Sequence, residues 1–187
     1  MYHIREDRRS EQSAELIYDC ILKLMDQKSY DKISVTDIQR KSGIARTTFY
    51  RCFDNILDVF LWKCDAAFQA AFSSYRPPDY RGEFDLARHF VNYWIENYQI
   101  LEILMRISRP DIIFTCHMKT AYILEERYGV LPNLPRAHTE YYLSVRTGFT
   151  ISILFAWLKG GRKENADEII AIIREQFMIL KNDTDIL

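Results

Sequence analysis

The sequence predicts an all-α protein in two parts. An N-terminal three-helix unit with a helix-turn-helix occupies 1–55, and a C-terminal helical unit occupies 56–187. Three observations carry this. The 187 residues include only six Gly and five Pro, too few for a turn-rich β protein. Apolar residues recur at spacings of three and four through most of the chain. The main breaks, at Gly43, Asp54-Asn55, Arg76-Pro77-Pro78-Asp79, Arg109-Pro110, 129–135 and Gly160-Gly161, fall between those periodic stretches.

Taken in order, residues 1–10 are polar, carry Arg5, Arg8 and Arg9, and read as a mobile arm. Leu16/Ile17, Cys20/Ile21 and Leu24/Met25 give one amphipathic helix over about 10–27. Ser34 with Asp37 three residues on resembles a capping box and opens a helix over 35–41 that buries Val35 and Ile38. Ser42-Gly43-Ile44 is the turn, with Gly43 suited to a left-handed backbone. A second short helix over 45–52 buries Phe49 and presents Arg46, Thr47, Tyr50 and Arg51. Asp54-Asn55 caps a long helix over about 56–75 that connects the two parts. Further helices are expected at about 83–97, 98–108, 111–128, 137–160 and 164–181.

The last two helices have more apolar surface than one face can hold. Phe149 to Leu158 is apolar on nearly every side. The final helix has one apolar stripe at Ala166, Ile169, Ile170, Ile173, Phe177 and Leu180, and a second row, Ile172 and Ile179, off that stripe. A helix with two apolar faces needs two partners. The expectation is a homodimer through 137–160 and 164–181, rather than a helix central to a monomer core.

Charge and cysteine usage narrow the classes. The net charge is −1, so any nucleic-acid contact rests on local placement. From Gln39 to Phe53 there are four basic residues and no acidic one. The four cysteines and four histidines show no metal-ligand spacing, so neither a metal nor a cofactor is expected. The charged N-terminus shows no secretory signal, and the apolar run Ile153 to Leu158 is too short to span a bilayer. A reduced, cytoplasmic setting follows. There is no Gly-rich phosphate loop, no G-x-S-x-G elbow and no carboxylate or His constellation, which argues against an enzyme.

The first 75 residues resemble the tetracycline-repressor (TetR) family of bacterial transcriptional regulators. The resemblance runs without a gap through Ile17, Leu24-Met25, Tyr30, Ser34-Val35, Asp37-Ile38, Gly43-Ile44 and Thr48-Phe49-Tyr50 to Phe53. Tyr141-Tyr142, Gly148, Trp157-Leu158-Lys159-Gly160-Gly161 and Asp167-Glu168-Ile169 look like the C-terminal domain of the branch common in Firmicutes. The resemblance implies a homodimer whose two heads read a palindromic operator in double-stranded DNA. It also implies C-terminal helices that dimerise and hold a small-molecule effector, which changes the separation of the heads. A repressor is the implied direction. A relative that has lost operator binding and works as a protein-interaction module is the alternative.

The candidate DNA-binding residues are Ser34, Thr36, Lys41, Arg46, Thr47, Thr48, Tyr50 and Arg51. Arg46 can fork onto a guanine or a phosphate, and Thr47 and Thr48 can reach base edges or a thymine methyl. Tyr50 and Arg51 suit phosphates, as do the open N–H groups of the helix begun by Ser34 and Thr36. The candidate effector pocket comprises His89, Tyr93, Trp94, Met105, His117, Tyr122, Arg146 and Phe149, with the polar His89, His117 and Arg146 best placed to orient a ligand. Three positions depart from the family pattern. Ile56 stands where a phosphate-anchoring Lys is usual, Ala45 where Ser or Asn caps the reading helix, and Gln39 where a small Ala is common.

Overall fold

The computed structural model describes residues 1–4, 7–75, 85–128 and 134–182. Arg5, the break at 76–79, the first residues of the helix expected from 83, and the break at 129–133 lie outside the described residues. Among the described residues the fold is all-α. Its helices are α1 (Arg8–Met25), α2 (Val35–Ser42), α3 (Arg46–Cys52), α4 (Ile56–Ser74), α5 (Asp85–Glu96), α6 (Gln99–Arg106), α7 (Asp111–Tyr128), α8 (Arg136–Lys159) and α9 (Ala166–Asn182), with a short 3-10 turn at Tyr30–Lys32.

The chain divides into two compact units, Met1–Ala66 and Ala67–Leu187. The division falls within α4, the helix read from sequence as connecting the two parts, and its early turns bury Val59, Phe60 and Cys64 in the N-terminal core. Lys63 fastens α4 to α1, with Nζ 2.7 Å from both Glu15 carboxylate oxygens and 5.0 Å from the Tyr18 ring centroid.

In this first unit α1 packs on both α2 and α3. Its buried stripe is Ala14, Ile17, Tyr18, Cys20, Ile21, Leu24 and Met25, while Leu16 is exposed. Ile38 of α2 and Phe49, Cys52 and Phe53 at α3 complete the core. Each such side chain contributes about 1.5–3 kcal/mol by leaving water. Val35, placed inside from sequence, is only half-buried.

Residues 1–4 and 7–10 do not form the mobile arm expected from the polarity of 1–10. Asp7 caps α1 by accepting from the Ser10 N–H at 2.8 Å, so Arg8 and Arg9 are already helical. Tyr2 pairs antiparallel with Phe53. Polarity signals exposure of side chains, but the backbone can still pair where a helix end leaves carbonyls open.

In the second unit α5 packs on α9, α6 on α7 and α8, and α7 and α9 on α8. Trp94, Leu101, Leu104, Ile113 and Leu143 are fully buried. A separate cluster joins Val91, Trp157, Ala166, Ile169, Ile170 and Ile173. The buried part of the α9 stripe stops there. Phe177 and Leu180, further along the same stripe, are each 43% exposed, because the buried partners Val91 and Trp157 reach only the first half of α9.

Candidate nucleic-acid interface and effector cluster

The helix-turn-helix is built by local sequence. Ser34 and Asp37 form a reciprocal capping box at the start of α2. The Asp37 N–H donates to Ser34 Oγ at 3.2 Å, and the Ser34 N–H donates to Asp37 Oδ2 at 2.9 Å. Lys28 adds an ammonium 2.6 Å from the same carboxylate. Lys28, then the Ser34 hydroxyl and N–H, hold the Asp37 carboxyl well below its ordinary range. Gly43 ends α2 at φ +74°, and a Cβ there would meet nothing within 4 Å. The backbone conformation, not space, is what calls for glycine.

α3 begins after Ala45, which makes no side-chain capping bond. Its inner side is Phe49 and Cys52. Its outer side exposes Arg46, Thr47, Tyr50 and Arg51, and Thr48 lies half-buried at the flank. Arg46 and Tyr50, one turn apart, are preset against each other. The guanidinium carbon is 5.4 Å from the Tyr50 ring centroid, and Nη2 donates to the Tyr50 hydroxyl at 3.4 Å. The pair holds an extended cation on the exposed face of a short helix.

The other DNA-contact candidates are placed differently. Ser34 Oγ lies 2.6 Å from Asp37 Oδ2, so its hydroxyl already has a carboxylate partner. Thr36 is exposed in the first turn of α2. Lys41 donates to the carbonyl of Lys23 at 3.1 Å, closing the last turn of α1. Ile56 is half-buried at the start of α4, whose first turn is capped by Asn55 and Asp58. Cys52 is completely buried, which makes it a core thiol.

The effector candidates separate into groups within the second unit. His117 is the centre of one. Its ring lies edge-on to Phe68 at 5.6 Å, and Phe68 packs on Trp94 at 4.8 Å. His117 Nδ1 is 2.8 Å from Thr147 Oγ1, whose hydroxyl donates to Met118 Sδ at 3.3 Å. Thr147 and Met118, adjacent to this ring, are functional candidates that apolar periodicity alone did not single out. Burial of the imidazole, with the positive charge of Arg146 second, pushes the His117 pKa down to about 4. Tyr93 meets Trp94 edge-on at 5.7 Å.

His89 belongs to a different group. Its Nε2 lies 2.8 Å from the Ala71 carbonyl oxygen, and its ring is 5.3 Å from Tyr75. Phe149 stacks on Phe177 of α9 at 4.4 Å. Tyr122 is 45% exposed, and Met105 is half-buried on α6. Among the described residues no group of His, Cys, Asp or Glu is placed to hold a metal ion. No helix there is long and apolar enough to cross a membrane.

The depressed His117 pKa has a measurable consequence. The folded state refuses a proton that the unfolded state accepts below about 6.5, so stability falls as pH drops from about 7 towards about 4 and then levels. Between pH 7 and pH 5 the loss from this group is about 2 kcal/mol. Urea unfolding of wild type and His117→Asn at the two pH values measures it. The variant should lose that much less, and equal losses would remove His117 as the cause.

The sequence matches no protein-family model and no curated protein. In structure, the chain is similar to Lin0861 from Listeria innocua, with a TM-score of 0.79, 13% identity, and coverage of 96% of this chain and 98% of that one. It is also similar to a protein from Syntrophomonas wolfei designated a TetR-family transcriptional regulator. There the TM-score is 0.57 at 19% identity, covering 91% of this chain and 95% of that one. The fold is that of a TetR-family regulator.

Proposed function

We propose that this chain is a cytoplasmic, homodimeric DNA-binding transcriptional regulator, a repressor that reads a palindromic operator and responds to a small molecule. The observation that carries the reading is α3 itself. It follows a glycine turn at φ +74°, bears no acidic residue, and exposes Arg46, Thr47, Tyr50 and Arg51 on one side. A short helix of that kind fits the major groove. The structural likeness to a TetR-family regulator supports the same reading.

The dimer is supported by apolar surface on α8 and α9. Tyr141 is 74% and Val145 69% exposed on α8. Gly148, Ser152 and Ala156 continue that row with short side chains that allow another helix close approach. On α9, Ile172, Met178 and Ile179 are exposed beside Phe177 and Leu180. Two neighbouring helices with uncovered apolar rows suit a twofold four-helix contact. A twofold axis would match the symmetry of a palindromic operator. The His117, Phe68, Trp94 and Arg146 group is where an effector would bind.

Selection of genomic fragments by the purified protein tests this reading. A palindrome enriched upstream of a neighbouring gene is the expected result. Absence of any enriched sequence would overturn operator reading and favour the protein-interaction module. Reporter expression that rises when the gene is deleted supports repression, and expression that falls reverses it.

A further inference from the structure

The far end of the reading helix is held by the first three residues of the chain. Cys52 closes α3, and its carbonyl is one of those a helix leaves without an internal partner. The His3 N–H donates to that carbonyl at 2.8 Å. Two residues on, the Asp54 N–H donates to the Met1 carbonyl at 3.2 Å, which completes the antiparallel pairing of Tyr2 with Phe53. The segment is anchored in turn by a side chain. The Tyr2 hydroxyl donates to Asp65 Oδ2 at 2.7 Å, and Asp65 is buried on α4 between two and three turns from that helix's start.

This placement has mechanical meaning because α3 has only seven residues. A helix that short has no stable direction of its own and takes it from its ends and its packing. Its N-terminal end lacks a side-chain cap at Ala45. Its C-terminal end is joined to residues 1–3 by two backbone bonds, and those residues reach α4 through the Tyr2 hydroxyl on Asp65 and the Met1 ammonium, 2.7 Å from Asp58 Oδ2. We propose that residues 1–3 are a strap that sets the orientation of α3, and that Tyr2 is its positioning residue, acting through Asp65. The inference rests on α3 being the DNA-reading helix. It assigns a role to a segment whose sequence reads only as a polar tail.

The test uses Tyr2→Phe and Asp65→Asn in the full chain, with two readouts. Amide hydrogen exchange needs no DNA. In Tyr2→Phe, exchange in residues 49–53 should rise about tenfold while that of Ile17 to Leu24 in α1 stays unchanged. Affinity for the selected operator should fall about tenfold, with non-specific binding and salt dependence preserved. Asp65→Asn keeps an acceptor oxygen and should stay near wild type in both readouts. Unchanged exchange in α3 of Tyr2→Phe would overturn the strap. So would an equal rise in α1, which would show general loosening. A wild-type protein that binds no operator would refute the reading of α3 while leaving the exchange experiment to decide the strap.

Discussion

Arg46→Ala should weaken operator binding by at least about thirtyfold at physiological salt while leaving the melting temperature close to wild type. The fold is spared because Arg46 is exposed and rests on Tyr50, itself exposed, on the next turn. The binding loss follows from geometry. A guanidinium fork on a base edge is worth about 1–3 kcal/mol of discrimination, and a symmetric dimer uses it twice, so the total is about 2–6 kcal/mol. Stacking on Tyr50 presets the side chain, so little rotamer freedom remains to be lost on docking. Non-specific binding should change far less, because the proposed phosphate contacts of Lys41 and Arg51 would be kept. Arg46→Lys separates the two contributions: it keeps the salt slope and loses the discrimination. Fluorescence anisotropy with operator and scrambled duplexes reads both, and wild-type affinity in Arg46→Ala would end the assignment.

The second large effect is expected at the other end of the chain. The pair Ile172→Glu and Ile179→Glu should convert a dimer into monomers of 22.3 kDa with unchanged helix content. These two side chains are 37% and 47% exposed in the single chain and lie outside the buried cluster on α9. Across a twofold axis the same charges would be desolvated and would face their own copies, which costs several kcal/mol. A monomer engages one half-site, so the gain from linking two heads disappears and operator affinity falls by about a hundredfold or more. Light scattering gives the mass directly. A wild-type protein that is already monomeric at micromolar concentration would refute the interface.

The sequence was most legible where structure is set by neighbours along the chain. Ser34 and Asp37 signal their capping box at a spacing of three, Gly43 signals its left-handed turn, and Phe49 signals the inner side of α3 by helical period. Helix bounds in the C-terminal unit follow from breaks at Arg109-Pro110 and Gly160-Gly161. Three things were not legible. The strap joins Tyr2 to Phe53 and Asp65 across more than fifty residues, and three residues have no periodicity to read. The apolar stripe of α9 runs on in sequence past Ile173, but only the packing of α5 and α8 decides where it stops being covered. The effector candidates were gathered as aromatic and polar residues on separate helices. Which faces meet depends on how helices cross, and that parts His89 and Phe149 from His117.

The four cysteines offer an experimental handle. Cys20, Cys52, Cys64 and Cys116 are each at most 5% exposed. Thiol-directed dyes react through accessible thiolates, so the native protein should take up almost none. A cysteine introduced at the exposed Thr47 would then be the one position labelled under native conditions. The chain is thus ready, without removal of any native thiol, to carry a single spectroscopic reporter on α3.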